Sequence, residues 1–387
     1  MRLTTSLIAA VATLPALGST QGANDVRLPP PSATIDEEFT SIGSVRELSD
    51  GRVLVTDPSE GRIVVIDMRS GSVLRIGRIG RGPSEYQLLG PLFSLAGDSS
   101  LMADFSQHRW LLFSGPSIVA TLPPDTPIIK AIKVMAKGAD ALGNVWIAVS
   151  PREMGSAPAG TVTFGPADSD FVVRGNRLTA KLDTVTQVRV APSRRTVSIN
   201  SRGGRGFTMG YPPLSVGEEA VLFADGWFAV ARLDPYRVDW ISPDGQVVYG
   251  NPIQVTPIKV TTAEKEAYHA RRAGWAEFPA MLPQSFKDRI RLARQAVRDQ
   301  WPAEFPPFAK GLIAGGEGNL WLRHPVSMNY LNNRYDIVDR RGRRLGVVAL
   351  GNRERIVTVS RTSVYVAWKD SDDIERLRRH PLPLYPR

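Results

Sequence analysis

The segment RIGRIGRGPSEYQ, Arg75 to Gln87, sets three arginines among three glycines and follows them with Gly-Pro and an acidic-aromatic pair. These are the residue types of an anion site, since guanidinium forks hold oxyanions bidentately and glycines let backbone N–H groups close on a phosphate. A phosphate cradle also needs its glycines between a strand and a helix N-terminus. Here Pro83 follows at once, no helical period comes after it, and the spacing fits neither GxGxxG nor GxxxxGK followed by Ser or Thr. The segment therefore reads as a connector between strands. Gly80 and Gly82 are expected to take positive φ, Pro83 fixes its own, and Arg78, Arg81 and Glu85 project from the turn.

Other chemistry is thinly supplied. The 387 residues include no cysteine, which excludes disulfides, thiolate metal sites, a cysteine nucleophile and a lipobox anchor. The four histidines, His108, His269, His324 and His380, stand at unrelated points with no HxH or HExxH. Zinc sites take three or four ligands, so none is expected here. GPSEY and SPDGQ lack the GxSxG frame of a serine hydrolase. Asp98, Asp140, Asp225 and Glu317 recur at comparable points, as a hard-cation site of inward carboxylates would need, but turns favour Asp for local bonding. No catalytic centre, cofactor or metal is expected.

Charge is the stronger signal. Lys and Arg number 48 against 38 Asp and Glu, a net +10 that suits anionic partners. Gln187 to Pro213 alone holds Arg189, Arg194, Arg195, Arg202 and Arg205 without one acid. Its SRGGRGF stretch is of a kind that binds nucleic acid, but the N-terminus directs the chain elsewhere. MRLTTSLIAAVATLPALGSTQGAND has one Arg, an apolar run from Leu7 to Leu14, a breaking Pro15 and small residues at Ala16 and Gly18. That is the layout of a secretory signal over residues 1–23, cleaved after Gly18 or Ala23. The run falls far short of the ~20 apolar residues that span a bilayer. The mature chain is expected to be an exported monomer of the periplasm or extracellular space, with no transmembrane segment and no nucleic-acid partner.

The elements that carry these groups repeat. ELSDGRVLVTDPSEGRIVVIDMRSGSVLRIG, from Glu47, reads strand, turn, strand, turn, strand, and the unit returns from Leu95, Ala139, Leu222, Ala314 and Thr358. First turns fall near Gly51, Asp98, Gly143, Gly226, Gly318 and Ser363, at intervals of 47, 45, 83, 92 and 45 residues. A period near 45 with about four short strands is that of propeller blades. The expected fold is all-β, a six-bladed β-propeller over residues 31–387.

The two long intervals hold insertions. Gln187 to Pro213 has no clear strand pattern, and a seventh blade between Trp146 and Val216 is the alternative to an insertion there. Residues 256–307 read as helical, between blades four and five. Thr261 and Glu264 have capping-box spacing, and Phe286, Ile290, Ala293 and Val297 recur at helical spacing. The last unit stops after three strands at HPLPLYPR, whose prolines end a ladder. ATIDEEFTSIG, from Ala33, is expected to supply the missing outer strand and close the ring.

GRIGRGPSEYQLLGPLFSLAGDSSLMADFSQHRWLLF resembles the repeat of NHL-type six-bladed β-propellers, where a Gly-Pro connector precedes a strand and an Asp-(four residues)-Arg pair follows. Asp57 with Arg62 and Asp104 with Arg109 have that spacing. The resemblance covers Ser44 to Phe113 well and the other blades weakly. It implies architecture more than function, because such propellers include lyases, lactonases and pure binding scaffolds.

In a blade of strands a to d, the b–c turn and the connector to the next blade emerge on one face. Both insertions are such connectors, and the long segments after Ser150 and His324 are b–c loops, so all extra sequence decorates that face. At the repeat position of Asp57 and Asp104, later blades carry Arg232, Arg323 and Lys369. The expected function is a non-enzymatic exported scaffold. It binds a protein or an anionic glycan through Arg81, Glu85, Arg202, Arg205, Arg232, Arg323 and Lys369. Two readings compete with it: the arginines pair structurally with Asp or Glu between blades, or a metal at the central channel serves a lactonase-type or lyase-type activity.

Overall fold

Each repeat turns where its punctuation stands. In the computed structural model, which describes residues 25–122, 136–149, 169–176, 179, 181–192, 194–199, 205–273, 284–328 and 332–385, Gly51, Gly143, Gly226 and Gly318 take φ of +84°, +80°, +86° and +86°. Glycine reaches that region without steric cost. The N–H of each closes on the carbonyl three residues back, from 2.9 to 3.1 Å. Every one of these turns joins the first two strands of a blade.

Two strands precede the first repeat, β1 (Asp25–Val26) and β2 (Ala33–Phe39). Blade one is β3 (Val45–Glu47), β4 (Arg52–Asp57), β5 (Arg62–Asp67) and β6 (Val73–Ile76). Its connector pairs β7 (Arg78–Ile79) with β8 (Glu85–Tyr86) in parallel. Blade two is β9 (Leu89–Ser94), β10 (Ser99–Asp104), β11 (Arg109–Ser114) and β12 (Ser117–Leu122). Blade three is β13 (Gly138–Ala139), β14 (Asn144–Val149), β15 (Ser169–Asn176) and β16 (Leu182–Arg189). A hairpin of β17 (Arg194–Ile199) and β18 (Arg205–Gly210) follows.

Blade four is β19 (Glu219–Leu222), β20 (Phe228–Leu233), β21 (Tyr236–Ile241) and β22 (Val247–Val248), and the helices α1 (Thr262–Ala273) and α2 (Gln284–Gln295) come after it. Blade five is β23 (Ile313–Ala314), β24 (Leu320–Arg323), β25 (Asn332–Val338) and β26 (Arg344–Asn352). Blade six has β27 (Glu354–Val359), β28 (Ser363–Lys369) and β29 (Glu375–Pro381) from its own repeat. Its fourth strand is β2, so the sheet runs β2-β29-β28-β27 and a six-bladed propeller results. β2 and β29 are antiparallel, with Ala33 opposite Arg379 and Ile35 opposite Leu377. β1 adds a fifth strand to blade five, parallel to β26.

The strands are apolar on both faces because both are buried. Val53 and Val55 of β4 pack with Tyr365, Ala367 and Leu377 of blade six, while Leu54 between them packs with Met102 and Leu111 of blade two. Each blade therefore contributes one side to each of two neighbouring clusters, and no blade has a core of its own. Among the described residues no helix is long and apolar enough to cross a membrane.

The insertions differ in detail from their sequence expectations. The segment from Gln187 to Pro213, expected without strands, extends β16 to Arg189 and then forms the β17–β18 hairpin. Two strands are too few for a seventh blade. The helices form as expected, with Ala293 and Val297 each 1% exposed. Only half of the capping box does. Thr261 Oγ1 accepts the Glu264 N–H at 3.3 Å, but the Glu264 carboxylate turns away from Thr261 to take the Met328 N–H at 2.7 Å and the Ser327 hydroxyl. The residues proposed as a signal, 1–23, lie outside the described residues, as does the loop after Ser150.

Candidate functional site

The connector face is built on buried carboxylates. Asp57 and Asp104, both 0% exposed, end the second strand of blades one and two. Each reaches the incoming connector: Asp57 accepts the Thr40 N–H at 2.8 Å, and Asp104 accepts those of Gln87 and Leu88 at 3.2 and 3.1 Å. In blade six, Glu375 takes the Ile42 N–H at 2.7 Å and the Arg355 guanidinium at 2.7 Å. Charge-assisted bonds of this kind are the stronger class, and here they fix where each connector crosses the rim. The two Asp-(four)-Arg pairs diverge. Arg109 meets Asp104 at 3.3 Å, whereas Arg62 leaves Asp57 and binds Glu60 at 2.8 Å and Glu37 at 2.5 Å.

The RIGRIGRGPSEYQ connector folds around its own acid. Glu85 accepts the Gly82 N–H at 2.7 Å and Arg78 Nε at 2.6 Å. The Gly82 N–H first, and then Arg78, hold its carboxyl below the usual range. Gly80 and Gly82, expected at positive φ, are not in that region, and Gly77 is, at +63°. They are glycines for space instead, since a Cβ on Gly80 would stand 2.1 Å from Glu85 Oε2 and displace it. Arg109 of blade two grips the turn from below, bonding Glu85 O at 2.6 Å and Arg81 O at 3.2 Å. Arg78 and Glu85 thus serve the turn, and the exposed Arg81 side chain projects from it.

Arg232 is likewise engaged. Its guanidinium meets Asp239 and Glu218 at 2.9 Å each, Gln187 O at 2.7 Å and Thr186 Oγ1 at 3.2 Å. Thr186 and Gln187 belong to β16, so this residue ties blade four to blade three. Arg323 ends β24 half-buried, and Lys369 ends β28 in the same state. Burial pushes the nearby Tyr335 hydroxyl up, and Arg323 opposes that rise. Arg205 opens β18, and Arg202 lies outside the described residues. Of the three, only Arg232 stands at the repeat position of Asp57 and Asp104, six residues past its turn glycine; His324 and Trp368 hold that place in blades five and six, so Arg323 and Lys369 lie one residue off it, on the other face of their strands.

One buried group had no place in the sequence reading. Asp336 is wholly buried in β25, at the position where blades one and two place Val64 and Leu111 and blade four places another buried acid, Asp239. Arg344 Nε lies 3.1 Å from its Oδ1, and the Tyr236 hydroxyl of blade four reaches Oδ2 at 3.4 Å. His324 Nε2 stands 2.5 Å from Oδ2, off the line of a hydrogen bond. Burial, and then this carboxylate, push the Tyr236 hydroxyl well above its ordinary range. An acid inside the apolar run YDIV was the available signal.

Above the ring, the insertions meet one another. A Cβ on Gly210 of β18 would fall 2.1 Å from Ala293 O of α2, so hairpin and helix touch backbone to backbone. Glu264 of α1 in turn holds the b–c loop of blade five. Gly210→Ala is expected to force α2 from the hairpin at an overpacking cost of about 1–3 kcal/mol. Thermal melting, and faster proteolysis between residues 262 and 295, would register it. An unchanged melt and cleavage pattern would show that the two elements do not press on each other. Among the described residues, no three His, Cys, Asp or Glu side chains are grouped to hold a metal. The turn acids already have partners: Asp140 caps Asn144 N at 2.8 Å within its own turn, and Asp98 receives Ser49 N of blade one at 2.8 Å.

No protein-family model matches the chain, and no curated protein does. Solved structures do. A Bacteroides fragilis NCTC 9343 protein proposed to be exported is 11% identical, covering 93% of this chain and 99% of its own at a TM-score of 0.46. A DUF4221 family member from Bacteroides vulgatus ATCC 8482 is 8% identical, covering 92% and 96% at 0.45. The calcium-binding protein regucalcin of Agrobacterium tumefaciens strain C58 is 10% identical, covering 94% and 100% at 0.38.

Proposed function

We propose that this chain is an exported, non-enzymatic scaffold of the NHL-type propeller kind, which binds an anionic partner on its connector face. The partner is a protein or an anionic glycan. In this reading residues 1–23 are a signal cleaved after Gly18 or Ala23, residues 31–387 form the working monomer, and the periplasm or extracellular space is its compartment. One observation carries it: the hairpin packs on α2 and α1 holds the b–c loop of blade five, so each insertion is fixed to another piece of extra sequence. Elaboration confined to one side of a rigid ring is how a scaffold presents a binding surface.

Geometry divides the basic residues of that face into two groups. Arg78 and Arg232 already hold Glu85, Glu218 and Asp239. Arg81, Arg323 and Lys369, joined by Arg202 and by Arg205 of β18, are the residues assigned to the partner. Heparin, as a soluble polyanion, is the probe. The mature protein, its start fixed by intact mass, is applied to a heparin column and eluted with salt. The triple substitution Arg81→Ala, Arg323→Ala, Lys369→Ala should elute at clearly lower salt than a control triple of equal charge, Arg69→Ala, Arg341→Ala, Arg361→Ala, placed on exposed residues of turns at the opposite ends of the strands. Exposed charges are screened over about 8 Å at physiological ionic strength, which makes elution salt a direct readout. Equal elution of the two triples would leave only net charge at work and defeat the assignment.

A further inference from the structure

The outer rim carries a second surface, which runs from the b–c turn of blade one along the outer strand of blade six. Along β2 runs a groove of about 980 Å³ that touches every residue from 32 to 38 in unbroken succession. A groove lying on the flat of a strand would meet alternate residues, so this one follows the strand's edge. β2 is the terminal strand of blade six, with β29 on one edge and the groove on the other. The far wall is the hairpin of blade one, from Met68 to Gly71 with Val73, and Glu60 and Arg62 stand between. An open edge presents unpaired N–H and C=O groups and is a template for another strand. This ring already accepts an added strand at the neighbouring edge, where β1 pairs with β26.

Charge selects what would pair there. The chain is +10 overall, yet the groove sets Asp36, Glu37, Glu38 and Glu60 against Arg62 and Arg69. Arg62 contacts Glu37 and Glu60, and Glu38 meets Arg376 at 2.6 Å. Asp36 is exposed and has no ion-pair partner among the described residues. We propose that the free edge of β2 docks an extended basic peptide segment, which joins blade six as a fifth strand while its Lys or Arg side chains meet Asp36 and Glu60. Main-chain bonds then supply affinity and the acidic walls supply selectivity.

The probe is a capped, fluorophore-labelled peptide alternating lysine and valine, compared with one interrupted by two central prolines, which cannot donate to a ladder. Anisotropy should show saturable binding of the first and none of the second. Asp36→Lys, a change at an exposed position that leaves the melt intact, should weaken binding by about tenfold or more, as like charge at a docking surface does. Hydrogen exchange should slow at the amides of residues 33–38 when the first peptide is bound. Equal binding of the proline peptide, no loss in Asp36→Lys, or no binding at all would overturn the proposal. Dimerisation that slows the same amides without peptide would assign the edge to a second copy of the chain and overturn it too.

Discussion

Deleting residues 33–39 abolishes the cooperative melt of this protein. The segment is β2, and it contributes Ile35 and Phe39, 3% and 0% exposed, to the cluster shared by blades one and six. Truncating Phe39 alone to Ala is expected to cost about 3–5 kcal/mol, and Ile35 to Ala about 2–5 kcal/mol. A domain is stable by only about 5–15 kcal/mol, so the deletion removes most of what holds the fold. It also bares β29, whose partners Ala33, Thr34 and Ile35 are lost, and an open inner edge invites aggregation. Circular dichroism on heating should show a broad, early loss of structure, and light scattering should rise. A sharp melt near that of the full chain would mean that the ring is closed by some other contact.

Arg232→Ala should lower stability by about 3 kcal/mol, the lower end of the range for breaking a buried pair. Its partners Glu218 and Asp239 are 7% and 1% exposed at their side chains. Arg237 keeps one contact with Asp239 at 2.7 Å, which is why the low end applies. Arg232→Lys should recover little, because a single ammonium cannot reproduce the fork that spans Asp239, Glu218 and β16. Denaturant unfolding at neutral pH measures both. An Arg232→Ala variant as stable as the parent would return this residue to the binding surface.

The ring could be read from the sequence because its signals are local. Gly51, Gly143, Gly226 and Gly318 mark turns that need positive φ, and the three-strand last repeat left one place for the strand at Ala33. What escaped depended on partners far apart in the chain. Nothing local says that the acid-free run around Arg194 forms a hairpin, because its strands gain their reason from α2 lying against Gly210. Glu264 matched a capping box, yet Met328, 64 residues away, supplies its acceptor's partner. Arg232 occupies the repeat position of Asp57, whereas Arg323 and Lys369 stand one residue off it, and only Arg232 has β16 and two acids within reach. A one-residue slip in counting a repeat reverses the face a side chain takes, and the neighbouring blade on that face then decides whether a charge is available. Asp239 and Asp336, both wholly buried, interrupt the apolar runs of their strands, and that was their mark in the sequence.

Hydrogen exchange of the mature protein with and without a heparin oligosaccharide, at low salt, tests the central claim of binding on the connector face most directly. Slowed exchange is expected in residues 78–88, 351–353 and 370–373, which carry the connectors and b–c turn nearest the assigned basic residues, with the outer strands β6, β12 and β22 unchanged. Protection confined to the outer strands or to the opposite turns near Gly51, Gly226 and Gly318, or no protection anywhere, would contradict it.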